Sequence, residues 1–367
     1  MERTAIVEYT SEDKDFPVEA AFWNSQGQAP KRRDLLILLT SRFVVDPPLL
    51  DQRALMLCNG LRTYCIRSRT VPLLLKEGSM ILITGASGNV GREVVKQSLA
   101  LGLKIRATFQ SAAVAAKAPA GLEGVIMDYA KPETIRPALH GVERIFLVAP
   151  PIRDLPAWEA NFIREVQAAG RKHIVKLSAL VGRESICPSG HRDSEENIEA
   201  SGLPYTFLRP NGFMQNLVNY NASTIRSQNA FYGCQGNGAV SMVDIRDIAT
   251  VAVIVLAATG HEGKSYALTG GESLTNVQVA EKISRVAERK ISYVDLPAAE
   301  LKKSLVSSGA PDWSADALID LQSLSREGKA SLVTDDIERL TRRKPITFDQ
   351  FAQDYAFAFR DEAKIAS

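Results

Sequence analysis

The sequence predicts an α/β protein built on a doubly wound parallel sheet, with a small, mostly helical C-terminal lobe. Three observations predict it. Short apolar runs alternate with amphipathic segments from Met80 to Leu208, as expected of a parallel sheet with helices on both faces. The first apolar run enters a helix through the glycine turn Gly85-Ala86-Ser87-Gly88-Asn89-Val90-Gly91, which makes the sheet Rossmann-type. After about residue 210 this rhythm gives way to longer helical patterns.

Taken in order, Met80-Ile81-Leu82-Ile83-Thr84 is the first strand. A helix over 89–101 follows, with Val90, Val94, Val95 and Leu99 as its apolar stripe. Leu103 to Phe109 reads as a strand and is followed by an alanine-rich helix to Ala118. Gly124 to Met127 is a third strand, Glu133 to Leu139 a short helix, and Glu143 to Ala149 a fourth strand stopped by Pro150-Pro151. A helix over 155–169 precedes the strand Ile174-Val175-Lys176-Leu177. A helix over 194–201 precedes Tyr205-Thr206-Phe207-Leu208. Farther on, Asp244 to Ala258 is a strong helix running back onto the sheet, and Ser265 to Leu268 is a strand. Thr275-x-x-Gln278 is a capping box opening a helix with Val279, Ile283 and Val286 on one face.

Composition narrows the function classes. The 367 residues are 45% hydrophobic and 23% charged with a net charge of +2, so a polyanion partner such as nucleic acid has no electrostatic support. Four cysteines, Cys58, Cys65, Cys187 and Cys234, are too few to staple such a chain and suit reduced thiols in the cytoplasm. No apolar run reaches membrane-spanning length, and early acidic residues from Glu2 to Asp15 spoil a signal peptide. The expected partner is a small-molecule acceptor, and oligomeric state cannot be read from the chain.

Residues 1–79 lack any helical or strand period. They are expected to be a disordered extension or foreign to the native chain, with Met80 as the biological start. A purine-rich tract able to encode Lys76-Glu77-Gly78 would resemble a ribosome-binding site. The folded domain is then 80–360, with a substrate lobe mainly from 211 onward.

The glycine turn carries the first chemistry. Dinucleotide phosphates need free backbone N–H groups at a helix N-terminus. Gly85 gives the tight exit from the strand, Gly88 admits the pyrophosphate, and Gly91 lets the helix pack close. Backbone at Ser87, Asn89 and Val90 completes the cradle. The spacing is G-x-x-G-x-x-G, which resembles atypical short-chain dehydrogenase/reductases. Longer stretches narrow the match: Ile81 to Gly91, Ile145-Phe146-Leu147-Val148-Ala149-Pro150-Pro151, Ser201 to Pro210, and Val243-Asp244-Ile245-Arg246-Asp247-Ile248-Ala249. Together they resemble the NmrA-like family, which includes NAD(P)H quinone and azo-dye reductases.

The resemblance implies further roles. Asp128 is expected near the adenine, Ala149 and Pro150 along the cofactor cleft, and Ser178 near the nicotinamide. Asp128 also reads as a capping carboxylate, and Ser178 as a plain strand-end hydroxyl. No acidic residue follows the second strand, which ends Phe109-Gln110-Ser111, and this speaks against strict NAD use. Gln110, with Ser111 and Lys117, is a candidate for the 2′-phosphate of NADP, although NADP-preferring relatives often carry arginine at that place. NADP is the expected cofactor, with NAD the alternative.

No Tyr-x-x-x-Lys occurs in the sequence, so the usual acid for a simple ketone is missing. Quinone, azo and imine-type acceptors give less basic products and suit such a site. His191 lies where the family often has a histidine before a helix start, here Ser194-Glu195-Glu196; it reads as a replacement acid or as a surface histidine. Cys187-x-x-x-His191 lacks a third ligand nearby, so no metal site is expected. Asn211, Phe213 and Met214 follow the sixth strand and are expected to face the substrate, core packing being the alternative for the last two. The function expected is NAD(P)H-dependent reduction of an activated acceptor. The alternative is a non-enzymatic, NAD(P)-binding redox sensor.

Overall fold

The computed structural model describes residues 79–360 other than 117, 120, 121 and 181–184. The expectations for residues 1–79 lie, apart from Ser79, outside the described residues.

Strand β1 (Met80–Ile83) leads to helix α1 (Asn89–Ala100), then β2 (Ile105–Phe109), α2 (Ala112–Ala115) and β3 (Glu123–Ile126). The alternation continues through α3 (Pro132–Ala138), β4 (Val142–Leu147), α4 (Leu155–Ala168), β5 (His173–Leu177), α5 (Ile186–Ala200) and β6 (Tyr205–Pro210). A π-helical turn (Leu217–Asn221), α6 (Ala222–Gln228), β7 (Ala230–Gly233) and β8 (Ala239–Val240) come next. They are followed by α7 (Ile245–Ala257), β9 (Lys264–Leu268), β10 (Leu274–Thr275), α8 (Asn276–Ala287) and β11 (Ser292–Asp295). Five helices close the described chain: α9 (Ala298–Ser307), α10 (Asp312–Arg326), α11 (Asp336–Thr341), α12 (Phe348–Asp354) and α13 (Ala356–Phe359).

Seven strands form one sheet in the order β3-β2-β1-β4-β5-β6-β9, every neighbouring pair parallel. Both faces are covered, which explains why β1 is buried along its whole length. Ile81 and Ile83 pack with Val90, Val94, Ile248 and Val251 under α1 and α7. Met80 and Leu82 face the other way, toward Ile135, Phe162, Ile163 and Ile198 of α3, α4 and α5. A third cluster, with Ile225, Phe231, Ile283, Phe348 and Phe351, is the core of the C-terminal region. No helix among the described residues is long and apolar enough to cross a membrane.

The capping box opens α8 as expected: the Thr275 hydroxyl accepts from the Gln278 amide, and the Gln278 side chain accepts from the Thr275 amide. Helix α5 differs. It begins at Ile186, not near Ser194, so His191 lies inside the helix and not before its start. Pro188 falls in the first turn, where its missing N–H costs nothing, and the Ile186 amide donates to the Asp320 carboxylate of α10 at 2.7 Å. The C-terminal region also holds two small strand pairs, β7 with β11 and β8 with β10, too short to show a period.

At the N-terminal end of the sheet, His173 is buried against β6. Its Nε2 lies 2.9 Å from the Thr206 hydroxyl, which itself donates to the His261 carbonyl at 2.6 Å. Nδ1 has no hydrogen-bond partner. Burial, reinforced by the nearby Arg144 guanidinium, pushes His173 down to about 4. The unfolded chain protonates it near the ordinary value of about 6.5. Between these values the unfolded state binds more protons, so this contribution to stability is full above about pH 6.5 and is lost as the pH falls toward 4. Urea unfolding from about pH 7.5 down to about 4.5 should show a falling unfolding free energy, with a shallower fall in His173→Gln. An identical slope in the variant would show that His173 is not the buried neutral group.

Candidate functional site

The order of strands reverses direction between β1 and β4: β2 and β3 lie to one side, and β5, β6 and β9 to the other. A ligand crevice opens at such a point, at the carboxyl ends of the strands. Thr84, fully buried, binds the two strand ends together. Its hydroxyl lies 3.1 and 3.0 Å from the carbonyls of Phe146 and Val148 and accepts the Val148 amide at 2.7 Å.

The glycine turn rises directly from this tie. Gly85 has φ +59°, and a Cβ there would press on the Val148 carbonyl at 3.1 Å. The Gly88 amide donates to the Gly85 carbonyl at 2.9 Å. At Gly91 a Cβ would stand 2.1 Å from the Gly85 oxygen, so only glycine fits while α1 packs this closely. Gly88 caps α1 without a side-chain hydrogen bond, and no acidic residue occupies the first turn. The amides of Asn89, Val90 and Gly91 therefore have no helical acceptor and no competing carboxylate. Ser87 and Gly88 are exposed, whereas the Val90 side chain belongs to the core. These residues fit a dinucleotide pyrophosphate.

Gln110 is exposed at the end of β2. Ser111 caps α2, its hydroxyl accepting the Val114 amide at 3.4 Å; Lys117 lies outside the described residues. Asp128 follows β3, accepts the Ala130 amide at 2.9 Å and stands 3.7 Å from Lys131, so a local turn engages it. Arg106 points to the opposite end of the sheet, where it holds Glu123 and the carbonyls of Ala138 and His140. Ala149 and Pro150 are half-buried beyond β4. Next to them lies a cavity of about 200 Å³ lined by Pro151, Ile152, Leu155, Ile186 and Trp313, with Arg153 and Asp193 also contributing.

Beyond β5, Ser178 is buried and donates its hydroxyl to Glu195 at 2.5 Å. The same carboxylate receives Arg209 at 3.0 and 2.7 Å and is paired with Arg192. Burial alone would raise the Glu195 carboxyl, but the hydrogen bonds from Arg209, Ser178 and Arg192 outweigh it and hold the group below the usual carboxylate range. His191 sits one turn earlier on α5, its Nδ1 3.5 Å from Lys176 Nζ. Burial, then Lys176, then Arg192, push His191 down to about 3.

Two of the substrate-side candidates are engaged within the fold. The Asn211 amide is spent on the fold: it donates to the Ser241 hydroxyl and the Ala330 carbonyl, each at 2.8 Å, and accepts from Gly212 at 2.9 Å. Met214 is 1% exposed and packs in the third core cluster. Phe213 is half-buried against the sheet core. Asn211 thus finds its partners in β9 and residue 330, and Met214 in the C-terminal core, while Phe213 packs against the sheet core and stays half-buried.

The sequence reading missed Lys176 and Glu159, both fully buried and paired at 2.5 Å. The signal was present. Lys176 interrupts an apolar strand covered on both faces, and Glu159 falls on the helical stripe of Phe162, Ile163 and Val166, so each demands a partner. Replacing Gly91 by alanine forces α1 off β1 and should lower the unfolding free energy by about 1–3 kcal/mol. Denaturant melts would measure it, and an unchanged midpoint would mean that the helix can shift freely.

The model of the NmrA-like family matches residues 77–352. An NAD(P)H azoreductase of Xenophilus azovorans is 34% identical over 284 residues, covering 76% of this chain and 99% of the relative. The NADPH-dependent quinone oxidoreductase of Escherichia coli, solved with NADPH, superposes with a TM-score of 0.68 at 28% identity, covering 75% of this chain and 99% of that one. The triphenylmethane reductase of a Citrobacter species, solved with NADP(H), gives 0.66 at 26%, covering 76% and 99%. With its seven-stranded sheet, its glycine turn at the switch point and this match over most of its length, the chain belongs to the NmrA-like family.

Proposed function

We propose that the chain is an NADP(H)-dependent reductase of an activated small-molecule acceptor of quinone, azo or imine type. The observation that carries this reading is the bare, glycine-capped N-terminus of α1 at the switch point of the sheet. In this reading the backbone of Gly85, Ser87, Gly88, Asn89, Val90 and Gly91 holds the pyrophosphate. Gln110 and Ser111 face the adenosine ribose, Asp128 lies near the adenine, and Ala149 and Pro150 flank the path to the nicotinamide. NADP is preferred over NAD because no carboxylate follows β2 to receive a free 2′-OH, and two of the similar structures hold NADPH or NADP(H).

A bound reduced nicotinamide supplies a hydride. The chain's own contribution is shape and polarity. The cavity beside Pro150, walled by Ile152, Leu155, Ile186 and Trp313 together with Arg153, Ser189 and Asp193, offers an acceptor a mixed surface, more polar than apolar. His191 offers a neutral hydrogen-bond donor, and Ser178 with Glu195 and the two arginines braces the end of β5 beneath it. Residues 80–360 then work as one NAD(P)-binding domain whose region from 211 onward completes the acceptor side.

Steady-state NADPH oxidation against quinones, azo dyes and triarylmethane dyes tests the reading. Turnover on at least one class is expected. Trp313→Ala should raise KM several-fold with kcat little changed, as loss of uniform binding does. Tight NADPH binding with no turnover on any acceptor would instead favour a redox sensor acting without catalysis.

A further inference from the structure

Helices α9 and α10 form a hairpin whose two ends are rooted at one place. The Leu296 amide, just before α9, donates to the Gly233 carbonyl at 2.7 Å, and the Gln322 side chain in α10 accepts the Cys234 amide at 2.5 Å. Arg326 reinforces this root, donating to the Cys234 carbonyl at 2.9 and 2.6 Å and pairing with Asp295. Packing is also close there, since a Cβ at Gly238 would stand 2.1 Å from the Ser325 carbonyl. The far end is different. Gly309, with φ +93°, lies in the turn between the helices, and Lys302 of α9 pairs with Asp316 of α10 at 2.6 Å, so the hairpin is one body. Yet α9 buries Leu301 alone, and α10 buries only Ala315 and Ala317 before Gln322. Trp313, in the first turn of α10, completes a cavity whose other lining residues all come from 151–156 and 186–193.

Among the described residues, one hydrogen bond ties 298–321 to another part of the chain: the Ile186 amide donates to Asp320 Oδ2 at 2.7 Å. Ile186 is itself a wall of the cavity. The local sequence explains why this amide takes a distant partner. Ser185 stands at the N-cap in extended conformation, where a serine hydroxyl ordinarily accepts the amide two or three residues on. The third residue on is Pro188, which has no N–H, and the Ser185 hydroxyl is buried without a hydrogen-bond partner. Asp320 supplies a cap from α10, and its negative charge suits the positive end of α5. The cavity, about 200 Å³, is smaller than the ~300–1,000 Å³ usual for a ligand site, so room for an acceptor calls for a wall that moves. We propose that α9 and α10 together are a lid on this cavity, rocking about the root at Gly233 and Cys234 and latched to α5 by Asp320. Asp320 is thereby a positioning residue that joins two walls, Ile186 and Trp313. Closed, the lid screens the cavity from water; open, it admits the acceptor and releases the product. The use of the cavity rests on the reductase reading above, whereas the root and the latch do not.

The test reads the lid without turnover. In the full chain labelled with 5-fluorotryptophan, the three tryptophans are assigned by single Trp→Phe variants and followed by ¹⁹F NMR. Trp313 should show relaxation dispersion on the microsecond-to-millisecond scale of lid motion, and Trp158, stacked on Tyr129, should show none. Asp320→Ala should move the Trp313 resonance and enlarge its H₂O/D₂O isotope shift, as the open state gains population. Asp320→Asn, whose side-chain carbonyl still accepts the Ile186 amide, should stay close to wild type. If Asp320→Ala fails to fold, the wild-type dispersion decides alone. A Trp313 without dispersion, or one that Asp320→Ala leaves unchanged, overturns the lid. In turnover, Asp320→Ala should raise KM for the acceptor several-fold and leave the Kd for NADPH unchanged, because the latch joins walls of the cavity and not the glycine turn. Equal effects on acceptor and NADPH overturn the positioning role. Absence of turnover on every acceptor sinks the reductase reading, while the ¹⁹F result still decides the lid.

Discussion

The closeness of α1 to the end of β1 is the constraint on which the site depends. A single methyl at Gly91 would stand 2.1 Å from the Gly85 carbonyl, so the helix sits against the strand end with no side chain between them. That closeness directs the free amides of its first turn over the gap where the strand order reverses. Thr84 fixes the floor of the gap by tying β1 to β4 through the Val148 amide and carbonyl. Gly85 then turns the chain with positive φ above the same Val148 carbonyl. The direction of the free amides, strand pairing and helix packing are thus one arrangement and not three.

Strand β5 shows how a covered sheet delivers polar groups to a site. Its alternate residues on one face run from Ile174 in the core, to Lys176 in a fully buried ion pair, to Ser178 in the Glu195 network. A buried ion pair rarely stabilises a fold more than apolar packing would, because desolvation offsets the attraction. Its presence in an otherwise apolar layer is therefore better explained by position than by stability. Removing either partner would leave a buried, unpaired charge, which accounts for why the two must be considered together.

Much of this was legible in the sequence, for reasons that also mark the limit. The strands from Met80 to Leu208 and the helix after Asp244 show because apolar periodicity is a local property. The glycine turn shows because the backbone geometry it needs admits few residue types. The start of α5 was hidden because Cys187-Pro188-Ser189-Gly190 looks like a breaker, and Asp320, far along the chain, receives the Ile186 amide there. The inward orientation of Asn211 and Met214 was not legible for a similar reason. A position after a strand end can face a cleft or the interior, and the choice rests with Ser241, Ala330 and the third core cluster. Partners distant in sequence decide such matters, and no local pattern records them.

The absent Tyr-x-x-x-Lys and the depressed His191 bear on the same chemical point. An enzyme that reduces a simple ketone must protonate an alkoxide, and a group suited to that task has an affinity for protons near the working pH. Here the His191 imidazole near the end of β5 faces Lys176 Nζ, and burial with Lys176 and Arg192 lowers its affinity for protons. In the proposed reductase, stabilisation of the transition state would then rest on the electron demand of the acceptor and the shape of its pocket. In that proposal selectivity would follow the walls of the cavity, where Trp313 is the aromatic member of the lining.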